Sequence, residues 1–106
     1  MAGSVRYATA TNSAATVTIP APSDNTCAEI TSIMSSYQGG TPSGGKITIE
    51  SPSGTTIGSW DITAEGPAPV PFPGVPLPGA EGQSIVVTLA AAGSGVVGKL
   101  TVVTRD

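Results

Sequence analysis

The sequence predicts an all-β fold: a single antiparallel β-sandwich of about eight strands, jelly-roll-like in count. Three observations point there. Apolar and polar residues alternate with a period of two in segment after segment, with turn residues between. Composition disfavours helix, because Gly, Thr, Ser, Val and Pro dominate while Leu, Glu, Lys and Arg are scarce. Finally, Pro67, Pro69, Pro71 and Pro73 occupy every second position of one extended segment. Residues i and i+2 of a strand send their backbone groups to the same edge, so these prolines strip the N–H donors from one edge only. Such a segment belongs at the margin of a sheet, and it guards that margin against pairing with another chain. An immunoglobulin-like sandwich is the runner-up and a small barrel comes third.

The first strand is expected from Val5 to Thr11 and the second from Ala15 to Pro20, with Val17 and Ile19 on one face. Pro20, Pro22, Ser23, Asp24 and Asn25 then form a loop. A longer third strand runs from Cys27 to Gln38, and Ile30 and Ile33 are out of phase by one position, which predicts a bulge between them. Only Ala28 to Met34 could be argued as helix, and its β-branched content speaks for strand. The glycine-rich stretch 39–45 leads into the fourth strand, Lys46 to Glu50, where Ile47 and Ile49 point inward. Ser51-Pro52-Ser53-Gly54 reads as a tight turn. The fifth strand, Thr55 to Thr63, carries Trp60, and the proline segment follows as the sixth, ending at Pro78-Gly79. Strand seven is Ser84 to Ala90, with Ile85, Val87 and Leu89 inward, and the last is Val96 to Thr104. The whole chain, 1–106, reads as one domain without internal repeats.

At 106 residues the chain can bury a core without metal or disulfide staples. Four basic residues, dispersed at Arg6, Lys46, Lys99 and Arg105, stand against seven acidic ones, a net charge of −3. Nucleic-acid binding needs clustered cations, so no nucleic-acid partner is expected. The lone Cys27 excludes an intrachain disulfide and fits a reducing compartment. No signal peptide is read before Tyr7, and no apolar run approaches a membrane span, so no membrane partner is expected. The weakly charged, Thr/Ser-covered surface suits a protein that sits against others.

Reactive chemistry is hard to build from this inventory. Gly93-Ser94-Gly95-Val96-Val97-Gly98-Lys99 matches the phosphate-cradling loop pattern, but Leu100 replaces the magnesium-holding hydroxyl and a β pattern follows where a helix is needed. A hairpin turn is the expected reading. There is no histidine, so Cys27 has no imidazole partner as a nucleophile. Asp24, Glu29, Glu50, Asp61, Glu65 and Glu81 are scattered, whereas glycosidase chemistry needs two carboxylates facing across a cleft. A calcium site at Asp24-Asn25 is conceivable, but an Asx turn explains the pair. No catalytic residue, cofactor or metal is expected. Trp60 could serve a sugar-binding platform with Tyr7, Tyr37 and Phe72, yet a core anchor is the stronger reading. On that reading, Trp60→Ala costs roughly 3–5 kcal/mol. In the proline segment, Val70, Phe72, Val75 and Leu77 are too apolar to stand in water. They complete the core or meet a neighbouring subunit, and part of the stretch is expected to do the latter.

Several pieces of the chain resemble small structural proteins of tailed bacteriophages. They are Ala15-Thr16-Val17-Thr18-Ile19-Pro20-Ala21, Ile30-Thr31-Ser32-Ile33, Thr41 to Ile49, Gly66-Pro67, and Val87 to Leu100. The loop at Asn25-Thr26-Cys27 departs from the basic or histidine-containing form associated with that group. The resemblance implies a non-enzymatic decoration or cement protein on the virion's capsid surface, made in the host bacterial cytoplasm. It implies the major capsid protein as partner and a homo-oligomer, in many cases a trimer. A tail, baseplate or fibre component of the virion and a carbohydrate-binding module are the alternatives.

Overall fold

The computed structural model describes residues 3–23, 26–68, 70–71 and 76–105. They form strands β1 (Gly3–Thr11), β2 (Ala15–Ile19), β3 (Glu29–Gln38), β4 (Lys46–Glu50), β5 (Thr56–Asp61), β6 (Gly66–Pro67), β7 (Val70–Pro71), β8 (Leu77–Pro78), β9 (Ile85–Leu89) and β10 (Val97–Arg105). Ala28 to Met34, the one helical candidate, lies in the approach to β3 and in β3 itself.

Two antiparallel sheets stack as a sandwich. The first runs β1-β10-β3, with β6, β7 and β8 along the far side of β3; the second runs β2-β9-β4-β5. The pairings nest: β1 with β10, β2 with β9, β3 with β6 to β8, and β4 with β5, alternately in one sheet and the other. Counting β6 to β8 as one interrupted strand gives two sheets of four, which is the jelly-roll wrap. The immunoglobulin-like alternative falls to this order.

Alternation builds the core as expected. Val17 and Ile19 of β2, Ile47 and Ile49 of β4, and Ile85, Val87 and Leu89 of β9 face Ile30, Ile33 and Tyr37 of β3 and Leu100 and Val102 of β10. The phase slip between Ile30 and Ile33 is a bulge. Val103 pairs with Ser32 and Thr104 with Ile30, leaving Thr31 unpaired, and its hydroxyl donates to Val103 O at 3.1 Å.

The aromatic anchor is Tyr37, not Trp60. Tyr37 is 1% exposed, the largest fully buried side chain. Its hydroxyl donates to Ala90 O at 2.6 Å, tying the first sheet to the end of β9 in the second. Room for the ring comes from Gly98, its register partner on β10. A Cβ at that glycine would stand 3.3 Å from the ring and 3.0 Å from Leu89. Trp60 sits on β5, a sheet edge, and is only partly buried against the core. An edge position leaves part of its surface in water, so its truncation costs less than full burial implies. The turn after β4 is closed by Thr55 N–H donating to Pro52 O at 3.0 Å. Beneath it, the buried Ser51 Oγ accepts from Ala80 N–H at 2.8 Å and donates to Ser84 O at 2.7 Å.

Candidate interaction surface

The proline segment lies at a sheet margin, as its spacing predicts. Gly66-Pro67 pairs with Tyr37 and Ser36, Val70-Pro71 with Ile33 and Ser32, and Leu77-Pro78 with Ile30 and Glu29. Ala68 N–H donates to Ser35 O at 2.7 Å and Gly79 N–H to Ala28 O at 2.8 Å. Antiparallel alternation then turns the nitrogens of Pro67, Pro71 and Pro78 away from β3, toward the open side. The facing phase is one residue different in the second stretch, matching the bulge at Thr31. Of the four residues singled out as an interface, Leu77 is partly buried and packs on the core. Val70 has its backbone in the ladder with Ile33. Phe72 and Val75 lie outside the described residues, as does the Asp24-Asn25 pair.

The opposite margin of the same sheet is β1, paired to β10 without a register break from Gly3 to Thr11. Asn12 N–H donates to Val96 O at 3.0 Å, continuing that ladder. In an antiparallel pair the bonded residues alternate, so Ser4, Arg6, Ala8 and Ala10 turn their backbone groups to β10. Gly3, Val5, Tyr7, Thr9 and Thr11 turn theirs outward. None of the turn, loop or side-chain hydrogen bonds among the described residues reaches those outward groups.

The outer face of this sheet is apolar at its centre. Tyr7 is 81% exposed, Val5 64% and Met34 48%. Register puts Tyr7, Thr101 and Met34 in one row across β1, β10 and β3, and Val5, Val103 and Ser32 in the next. Sheet order gives the second sheet an outer face of Thr16, Thr18, Thr48, Thr88, Lys46 and Glu50, with Val86 among them. Val5 escaped the sequence reading, and Tyr7 entered it only as part of a possible sugar-binding platform, because alternation pairs residues by face without saying which face is inside. Here the small Ala8 and Ala10 pack against the core.

Titratable groups do structural work. Glu29 accepts from Arg105 at 2.8 Å in an exposed pair, Glu50 accepts from Gly54 N–H at 3.2 Å and Glu65 from Gly39 N–H at 3.1 Å. Burial pushes the Tyr37 phenol above its ordinary value, with a hydrogen bond to the Lys46 backbone acting in the other direction. Cys27 is exposed and free. Among the described residues no three of Cys, Asp and Glu gather as metal ligands. The stretch 93–99 turns on Val96 N–H donating to Gly93 O at 3.2 Å and continues as β10, with no helix N-terminus to face a phosphate.

No protein-family model matches the chain, and no curated protein does. Among solved structures the chain is similar to the carbohydrate-binding module CBM36, determined with calcium and xylotriose, at 12% identity over 93% of this chain and 76% of that one, TM-score 0.49. It is also similar to FLHE, at 10% identity over 100% of both chains, TM-score 0.46. A third is the virus-like particle of extra small virus of the giant freshwater prawn Macrobrachium rosenbergii, at 11% identity over 99% of this chain and 79% of that one, TM-score 0.31. At such identities and scores these likenesses carry nothing about what the chain binds.

Proposed function

We propose that this protein is a non-enzymatic virion structural component: a decoration or cement protein that binds the capsid exterior and stabilises the shell. The observation that carries the reading is the exposed apolar row of Tyr7 and Met34, with Val5 beside it, on one outer face. Exposed apolar side chains grouped in this way mark an interaction site, and here they lie together on the outer face of one sheet. The resemblance of Ala15 to Ala21, Thr41 to Ile49 and Val87 to Leu100 to tailed-phage structural proteins supplies the partner, the major capsid protein.

The mechanism is binding energy alone. A protein that binds the assembled shell and not its separated parts stabilises the assembly by mass action. Many copies on a symmetric lattice multiply a modest contact. The test is to add purified protein to mature capsids lacking it, then to measure co-sedimentation and the temperature at which the shells release their contents. Binding at micromolar concentration and a raised release temperature are expected, and Tyr7→Ser should weaken both. Absence of binding defeats the proposal. Labelled protein found on the tail in micrographs reassigns it to that part of the virion.

A further inference from the structure

Among the described residues the sandwich has four strand edges, and three of them are blunted. The β6 to β8 edge turns proline nitrogens outward. β2 is five residues long; Ala90 N–H donates to Lys46 O, which by alternation sends the odd residues of β9 to β2 and leaves only Thr16 and Thr18 facing out before Pro20. On β5, Ile62 N–H donates to Gly45 O, so Ser59 and Asp61 face out, and the strand is interrupted by a bulge where Glu50 pairs with Thr56. Short length, a charge, a bulge and proline are the devices that keep sheet edges from pairing. β1 lacks three of these devices. Its nine residues contain no proline and no bulge, and its one charged residue, Arg6, belongs to the set turned toward β10 and donates to Thr104 Oγ1 at 3.2 Å.

We infer that β1 is a self-pairing edge, through which two copies of the chain join antiparallel about a two-fold axis at Tyr7. The parity of the strand fits that partner. Tyr7 is the midpoint of Gly3–Thr11, so full overlap sets Tyr7 against the partner's Tyr7, Val5 against the partner's Thr9 and Gly3 against the partner's Thr11. Every one of these residues has its backbone groups turned outward, so free donors meet free acceptors along the whole edge and each pair exchanges two hydrogen bonds. A shift by one residue would set outward groups against groups already bonded to β10. The same register makes one isologous contact. It continues the apolar row through the axis: Met34, Thr101 and Tyr7 of one copy, then the partner's Tyr7, Thr101 and Met34. Side chains on this face of β1 are Val5, Tyr7, Thr9 and Thr11, all uncharged. No charges therefore meet across the junction on this face; on the other face Arg6 stands opposite the partner's Ala8, diagonal to the partner's Arg6, with its guanidinium turned back to Thr104 of its own chain.

This inference stands apart from capsid binding, and its test reads mass and cross-linking. Sedimentation equilibrium of the full chain should give twice its 10.3 kDa. Tyr7→Lys, which sets two cations face to face at the axis, should give single chains with an unchanged circular dichroism spectrum. Thr18→Lys, on the other sheet, should leave the pair intact. In a Cys27→Ser background, oxidation should link Tyr7→Cys to itself, since paired Cα atoms there stand about 5.5 Å apart, within disulfide reach. Thr11→Cys should not link, because the two copies of that position lie roughly 27 Å apart at the rise of an extended strand. A single-chain mass, a three-chain mass, a pair that survives Tyr7→Lys, or equal linking at both cysteines overturns it. An unsubstituted protein that sediments as single chains, and whose capsid binding is lost in Tyr7→Lys, would make the capsid protein the occupant of this edge and overturn self-pairing. A pair that does not bind capsids keeps this inference and removes the functional one.

Discussion

The two margins of the larger sheet solve the same problem in opposite ways. Along β6 to β8, described prolines at 67, 71 and 78 present nitrogens without hydrogen to the open side, while Ala68 and Gly79 donate inward to Ser35 and Ala28. Along β1 the strand is regular, and five residues keep their donors and acceptors turned outward. The contrast teaches that a sheet margin carries information in its backbone. Proline at alternate positions closes an edge without weakening its attachment, and an unbroken strand leaves an edge ready to be used. Both margins hang on the same two central strands, β10 and β3.

The strongest way to break the comparison is to remove what both margins share. Tyr37→Ala takes away the largest buried side chain and its bond to Ala90 O, and should cost about 3–5 kcal/mol in urea unfolding. Hydrogen exchange should accelerate at both margins together; acceleration at one alone would mean that they rest on separate cores. Next in size is a pair of proline substitutions on β1. Ala8→Pro removes a donor turned toward β10 and leaves a carbonyl of Leu100 unpaired, for about 1–3 kcal/mol. Thr9→Pro removes an outward donor and should stay within about 0.5 kcal/mol in dilute, single-chain conditions. Equal losses would refute the assigned phase.

Alkaline titration gives a smaller effect. The unfolded phenol of Tyr37 titrates near its ordinary value of 10.0 and the folded one above it. Above that pH the unfolded chain binds fewer protons, so stability falls as pH rises through this window and is unaffected by Tyr37 below it. Tyr37→Phe should flatten that part of the pH curve; an unchanged slope would assign it to another group. The smallest expected change in stability is at the closed margin. Pro67→Ala with Pro71→Ala should alter unfolding by about 0.5 kcal/mol or less yet promote association on warming, seen by light scattering. Unaltered association would show that the prolines do not guard this edge.

Much of this arrangement was legible in the residues. Period-two alternation located β2, β4 and β9 nearly to the residue, because apolar side chains buried on one face leave that signature. The Ile30/Ile33 slip announced the Thr31 bulge, and the proline spacing announced a margin. Other features depend on contacts that no local pattern encodes. Alternation in β1 fits Val5 and Tyr7 inward as well as Ala8 and Ala10, and in the fold it is the two alanines that pack on the core. Trp60 is larger than Tyr37, but the ring that fills the centre is the one facing a glycine on the neighbouring strand, a pairing of positions 37 and 98 set by register. The proline segment reads as one strand, and its single change of pairing phase, between Val70-Pro71 and Leu77-Pro78, follows from the bulge on β3.

The nested pairing also sets an order in time. Gly3 to Thr11 find their partners only in Val97 to Arg105, the last described stretch to leave the ribosome. Contacts so distant along the chain close slowly. Until Val97 to Arg105 have been made, Val5 and Tyr7 therefore wait in an unpaired strand, where premature aggregation is a hazard.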